Sequence, residues 1–144
     1  MTQQADHLPV RDMGTWLVLA PAIGLMFIGV VFIFKPGWGA AIFGIPAPPG
    51  SEPYLIAVGL RDVAFGLYIL ALGLFSSRRA VSLVLALTVL IPLGDILIVA
   101  HERGLSAPGY LMLHGASGIY MTVAAVWVLK SAATGRDGLS GRSA

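Results

Sequence analysis

The chain has 144 residues, of which 57% are hydrophobic and only 11% are charged, and its formal net charge is +2. A soluble globular domain carries roughly 25% charged residues, so this composition excludes an ordinary water-soluble protein and indicates a membrane protein. The sequence has no cysteine, which excludes a disulfide framework, a thiolate metal site and a cysteine nucleophile.

Four apolar segments are long enough to cross a bilayer, which takes about 20 residues. We predict a helix for each, because a helix satisfies its own backbone hydrogen bonds in lipid. The expected fold is an all-α membrane protein, a four-transmembrane-helix bundle. It comprises an N-terminal segment 1–14, a membrane domain 15–130 and a flexible tail 131–144. The spans are predicted at about 16–34, 54–75, 80–100 and 110–129.

The loop charges predict the orientation of the bundle. Lys and Arg are concentrated on the side that holds both termini and the second loop, and the positive-inside rule places that side in the cytoplasm. We therefore expect a multi-pass protein of the cytoplasmic membrane with its N- and C-termini inside, and lipid, not nucleic acid, as its surroundings. The terminal side carries Arg11, Arg78, Arg79, Lys130, Arg136 and Arg142, against Lys35 and Arg103 on the other.

The first loop, "KPGWGAAIFGIPAPPG" at 35–50, is long for a connector and contains Trp38, Ile42 and Phe43. Two interpretations are open. A short interfacial or re-entrant helix can lie over the mouth of the bundle as a lid, or the loop can rest in the headgroup region as a hydrophobic segment.

The second segment contains the adjacent pair Arg61 and Asp62 within an apolar run. Gly59, Gly66 and Gly73 recur every seven residues and predict a stripe of small residues at which another backbone approaches closely. Asp62 lies on that stripe and Arg61 is rotated from it by about 100°. The same glycine face is a candidate surface for a homo-oligomer.

The third and fourth segments carry the remaining ionisable residues of the membrane domain. Pro92 leaves the carbonyl of Thr88 without its usual donor, so we predict a kink just below Asp95. His114 begins an inward face of the fourth segment, which continues through Ser117, Gly118 and Met121.

These side chains are expected at one depth. With a rise of about 1.5 Å per residue, Arg61 lies about 10 Å, Asp95 about 8 Å and His114 about 6 Å from the outer end of their helices. Charges within a span are costly and usually face protein or a cavity. The sequence therefore predicts a polar cluster of Arg61, Asp62, Asp95 and His114 in the outer half of the bilayer.

The role of each member has alternatives. Arg61 can form a structural ion pair with Asp62 or Asp95 that locks two helices together. One of the two carboxylates then has no fixed partner, which suits a general acid or a proton carrier. His114 can shuttle protons or be a satisfied core histidine. His101, Glu102 and Arg103 are typical of a solvated loop.

No cofactor motif is present, and no metal site is predicted. A set of two histidines and a carboxylate drawn from His101, Glu102, Asp95 and His114 is conceivable. It lacks the tight spacing of known metal motifs, so it is disfavoured.

Three stretches carry a resemblance to a known family: "PGWGAAIFGIP" at 36–46, "YLIAVGLRDVAFGL" at 54–67 and "LIPLGD" at 90–95. They resemble a group of small four-helix membrane proteins of unknown function, related in plan to DoxX-like proteins, over roughly residues 16–129. By this likeness Arg61, Asp62 and Asp95 are the motif residues, and His114 matches no motif position. The resemblance implies a fold and no activity. Compact families of similar size, such as anthrone-oxygenase-like proteins, act on apolar polyketides or terpenoids, which is analogy alone.

The leading hypothesis is a membrane protein that binds a small apolar molecule in this polar pocket and performs cofactor-independent acid–base chemistry. The enzyme would be of the isomerase or cyclase type, or a cofactor-free oxygenase-like protein. Asp95 would act as general acid or base, Asp62 and His114 as its partners, and Arg61 as an electrostatic clamp. The alternatives are a small proton-coupled transporter and an accessory subunit without catalysis.

Overall fold

The computed structural model describes residues 13–140, with side chains for residues 14–131. Within that range the chain forms six α-helices and no strand, and a short 3-10 turn at Gly104–Ser106 precedes the last helix. The predicted all-α fold is confirmed. The helices are α1 (Met13–Phe34), α2 (Pro36–Phe43), α3 (Glu52–Phe75), α4 (Arg78–Thr88), α5 (Leu90–Arg103) and α6 (Pro108–Ser140).

Four helical stretches of the described chain are long and apolar enough to cross a membrane, in agreement with the four predicted spans. Helix α6 continues to Ser140, beyond the predicted end of the fourth span. Residues 1–12 of the N-terminal segment and 141–144 of the tail lie outside the described residues. The cytoplasmic location of the termini stays a prediction. The four stretches are Gly14–Phe34, Glu52–Phe75, Arg78–Ser106 and Pro108–Ser131.

The glycines of α3 bring this helix into backbone contact with α1. A Cβ atom added at Gly59 would lie 2.6 Å from the carbonyl oxygen of Gly29, and one added at Gly66 would lie 2.6 Å from that of Ala22. Only glycine permits this approach. The close approach of another backbone, predicted from the glycine spacing, is therefore observed. Because α1 of the same chain covers the stripe, an oligomer through these glycines would require α1 to leave. The homo-oligomer stays a prediction.

The third span is interrupted between α4 and α5. Helix α4 ends at Thr88 and α5 begins at Leu90. The break therefore lies at the Thr88 carbonyl, which lacks a donor because Pro92, four residues later, has no N–H. The Thr88 hydroxyl donates to the carbonyl oxygen of Val84 at 2.7 Å, and the N–H of Val89 turns to the carbonyl of Ala86 at 3.3 Å. The kink predicted from the proline is therefore observed as a break in the helix.

The buried core lies in one half of the bundle. It is formed by the first half of α1, the end of α3, helix α4 and the middle and later turns of α6. The Ser82 hydroxyl joins α4 to α6 here by donating to the carbonyl oxygen of Ala125 at 2.8 Å. We call this the closed half, and the half covered by α2 the open half. The core residues are Val18, Ala22, Ile69, Val81, Leu85, Met121, Ala124, Ala125 and Val128.

Candidate functional site

A cavity of about 600 Å³ occupies the open half, between α1, α3, α5 and α6 and beneath α2. Small-molecule sites commonly have volumes of about 300–1,000 Å³, with apolar walls and a few polar groups. The walls here are largely aliphatic and aromatic. All four predicted site residues line the cavity: Arg61, Asp62, Asp95 and His114. The structure therefore brings to one cavity the side chains that the sequence placed at one depth.

The cavity exists because the helices pack as two pairs. Helix α1 packs most extensively against α3, whereas α4 and α5 pack against α6. Helices α3 and α5 have little contact with each other. The closed-half core holds the two pairs together, and within the described residues the cavity between the pairs lies in the open half.

Arg61 and Asp62 form an ion pair within α3. Both Nε and Nη2 of Arg61 donate to the same carboxylate oxygen of Asp62, at 3.3 Å and 3.2 Å. The Arg61 side chain is 62% exposed, whereas that of Asp62 is 12% exposed. Of the two partners that the sequence left open for Arg61, the structure therefore selects Asp62. An ion pair within one helix does not lock two helices together.

Asp95 and His114 form the second pair, which connects α5 to α6. Nδ1 of His114 lies 3.5 Å from Oδ2 of Asp95, and both side chains are largely buried. The Nε2 atom lies 3.0 Å from the carbonyl oxygen of Phe43, the last residue of α2. The Phe43 ring also packs edge-on against the imidazole, with the ring centroids 5.0 Å apart.

These contacts determine which imidazole nitrogen carries a proton. A carbonyl oxygen only accepts, so Nε2 of His114 must carry the hydrogen that it donates to Phe43. Nδ1 is then the nitrogen that faces Asp95, at 3.5 Å from Oδ2. Asp95 and His114 thus form a pair of ionisable groups on the cavity wall, of a kind suited to proton exchange.

Helix α2 is held over the cavity by two successive carbonyl groups. Phe43 accepts from His114, and Gly44 accepts from Nη1 of Arg103 at 3.0 Å. The guanidinium of Arg103 also lies 5.2 Å from the centroid of the Tyr110 ring. The helix therefore occupies the place of the lid that was one of the two interpretations of the first loop.

Gly44 permits this closure. Its φ of 104° ends α2 in the left-handed conformation, and an added Cβ would lie 2.6 Å from Cγ of Tyr110. A side chain here would be strained and would also displace the aromatic ring.

Sequence reasoning missed Arg103, which was assigned to a solvated loop. Its contacts depend on where α2 ends in space, and local spacing carries no information about that. A basic residue in the last turn of a span, together with a glycine after the short helix, was the available signal.

The disfavoured metal set is not assembled. His101 and Glu102 are exposed at the end of α5, whereas Asp95 and His114 lie in the cavity wall. Among the described residues, no group of three or more His, Cys, Asp or Glu side chains is placed to hold a metal ion.

Comparison with known proteins gives a family. Residues 22–128 match the family model described as a domain of unknown function, DUF4267. No curated protein and no solved structure matches the chain. The relationship to DoxX-like proteins stays a prediction.

Proposed function

The chain belongs to the DUF4267 family, and we propose that it binds one small apolar molecule in the open-half cavity and transfers protons on it without a cofactor. The reaction is of the isomerase or cyclase type. One observation carries the proposal: a cavity of ligand size, with mostly apolar walls, contacts the ionisable Asp95–His114 pair.

The pair suits proton transfer to and from carbon. Asp95 takes a proton from a carbon beside a carbonyl group or a double bond and returns a proton to another carbon of the same molecule. His114 exchanges protons with Asp95 only through Nδ1, because Nε2 is occupied by the carbonyl of Phe43. The net reaction is an isomerisation that needs no oxidant or reductant.

Arg61 and Asp62 stand on the opposite wall, on α3. Arg61 uses Nε and Nη2 for Asp62 and carries further N–H groups. A guanidinium at this position stabilises negative charge that develops on a ligand oxygen. Asp62 holds the guanidinium at the cavity wall.

Deuterium exchange tests the proposal without a known product. The purified protein in lipid nanodiscs is incubated in D₂O with a panel of lipid-soluble enones and isoprenoids, and each compound is analysed by mass spectrometry. We expect Asp95-dependent deuterium incorporation at carbon in at least one compound. Asp95→Asn should abolish it. Ser117→Ala should retain it, because that hydroxyl, also in the cavity, is bonded to the carbonyl of Leu113 in its own helix.

Incorporation that is equal in the wild type and Asp95→Asn would contradict the assignment.

A proton-coupled transporter is the second candidate, favoured by a protonatable carboxylate pair in a cavity that occupies only one half of the bundle. Under that alternative, proteoliposomes would show Asp95-dependent flux of a panel compound along a pH gradient, with no deuterium at carbon.

A further inference from the structure

We propose that the ligand is a bilayer-dissolved molecule and that it enters sideways, through a portal between α1 and α6 in the open half. The inference rests on the proposed function, in that the cavity binds an apolar molecule, and adds where that molecule comes from. We define the portal by the residues of α1 and α6 that both line the cavity and are exposed: Ala20, Gly24, Leu113, Ala116, Ser117 and Tyr120. Two further residues of the cavity wall are exposed, Ile42 on α2 and Arg61 on α3.

Helical phase places the α1 residues of the portal at the edge of the bundle. Ala22, Met26 and Gly29 face α3. Gly24 is two residues from Ala22, which rotates it by about 200° from the α3 contact. Gly24 nevertheless lines the cavity, so it lies where the α1 wall of the cavity meets the outside of the bundle.

The α6 side has the same arrangement. Gly118 packs on Pro92 of α5, with 3.5 Å between an added Cβ and the proline ring. Ala116 is rotated by about 200° from that contact, and Ser117 faces the cavity but is still exposed. The exposed rims of α1 and α6 therefore border one opening.

The portal has free space beside Gly24. A Cβ added at Gly24 meets no atom within 4 Å, unlike Cβ atoms added at Gly59 or Gly66. At one edge of the portal the same two helices are tied together, because the hydroxyl of the portal residue Tyr120 donates to the carbonyl oxygen of Leu17 at 3.2 Å. The gap is therefore limited to the open half.

One alternative route, past α2, is barred by two hydrogen bonds. A ligand that arrives there must separate Phe43 from His114 and Gly44 from Arg103. The lateral route requires neither change. Since four candidate spans surround the site, a sideways opening leads into lipid, and the favoured ligand is one that dissolves in the bilayer.

Time-resolved photolabelling tests the portal. A diazirine-bearing isoprenoid alcohol is mixed with vesicles that contain the protein, flashes are given after increasing delays, and adducts on cavity residues are quantified by mass spectrometry. We expect Gly24→Leu to slow the appearance of cavity adducts by about tenfold, as for a gate, and to leave their final amount within about twofold.

Gly115→Leu is the matched control. Gly115 is also a helical glycine with no atom within 4 Å of an added Cβ, but it lines a separate groove between α5 and α6. We expect wild-type labelling kinetics. Circular dichroism checks that both variants are folded.

The outcomes separate the portal from the proposed function. Absence of cavity adducts in the wild type would overturn both. Unchanged kinetics in Gly24→Leu, or a smaller final amount at an unchanged rate, would overturn the portal and leave cavity binding intact. Faster labelling in Arg103→Leu would place entry past α2 and would also overturn the portal.

Discussion

The closed and open halves of the bundle are built from similar apolar residues and have different interiors. On α6, Ala124 and Ala125 are buried in the closed-half core, whereas Ala116 and Ser117, about two turns earlier, are exposed at the cavity. The same helix thus packs tightly over one stretch and borders open space over the next.

The difference shows that helix direction, and not residue type, decides where a site forms. Contact between α1 and α3 runs along the whole glycine stripe. Helix α3 also contacts α4 but has little contact with α5, beyond the break at Val89. An ionisable side chain in the closed half would have to displace core atoms and would meet no water. In the open half the cavity accommodates Asp62, Asp95 and His114 at lower cost.

The largest expected effect concerns the chemistry of the open half. His114→Ala removes the proton partner of Asp95, and we expect deuterium exchange into a responsive ligand to fall by at least about a hundredfold, or about 2.7 kcal/mol in activation free energy. Added imidazole can occupy the space of the lost ring and should restore part of the rate. Lack of rescue together with normal ligand binding would indicate that the ring only positions α2.

A matched pair of alanine substitutions tests the contrast between the halves. Ala124→Leu inserts a large side chain into the closed-half core, where Ala124 is 0% exposed. We expect it to lower the free energy of unfolding by about 1–3 kcal/mol. Ala116→Leu adds the same atoms beside the cavity and should change that free energy by about 0.5 kcal/mol or less.

Unfolding in mixed micelles measures the change in the free energy of unfolding for both variants. Equal destabilisation by the two variants would mean that the open half is packed in the membrane and that the cavity is closed there.

A smaller effect is expected at α2. Arg103→Met removes the hydrogen bond to Gly44 and the contact with Tyr110, which should destabilise the closed position of α2 by about 1 kcal/mol. Hydrogen exchange in α2 should become faster by about fivefold, with no change in α4. Glu102→Gln, a neighbouring exposed position, should leave both unchanged. Faster exchange throughout the bundle would mean that Arg103 supports the whole fold.

The smallest expected effect is a coupling energy. In a double-mutant cycle of Arg61→Leu and Asp95→Leu, we expect an interaction of about 0.5 kcal/mol or less in the free energy of unfolding, because these side chains are not paired. The cycle of Arg61→Leu and Asp62→Leu should give a larger value. Strong coupling to Asp95 would support the accessory-subunit hypothesis, in which an interhelical ion pair only holds the bundle together.

The sequence predicts much of the scaffold because the constraints of a bilayer are local. The length of each apolar segment indicates a span, and the rise per residue of a helix places Arg61, Asp95 and His114 at one depth. Pro92 predicts the break near Thr88 because a missing N–H acts four residues away. The glycine spacing on α3 predicts a close approach, although it does not say which helix approaches.

The remaining features depend on tertiary geometry. The pairing of Asp95 with His114 required the mutual position of α5 and α6. The tautomer of the His114 imidazole and the contacts of Arg103 both depend on where α2 ends in the folded structure. Local spacing in the sequence does not specify these positions, because they depend on how the two helix pairs pack together.

The central claim is that the open-half cavity holds one apolar molecule. Native mass spectrometry of the protein released from nanodiscs containing an isoprenoid alcohol tests it directly, using Ser117→Trp to fill the cavity and Gly115→Trp to place the same ring in the separate groove. We predict one bound molecule in the wild type and in Gly115→Trp, and none in Ser117→Trp. Binding that is unchanged by Ser117→Trp would contradict the claim.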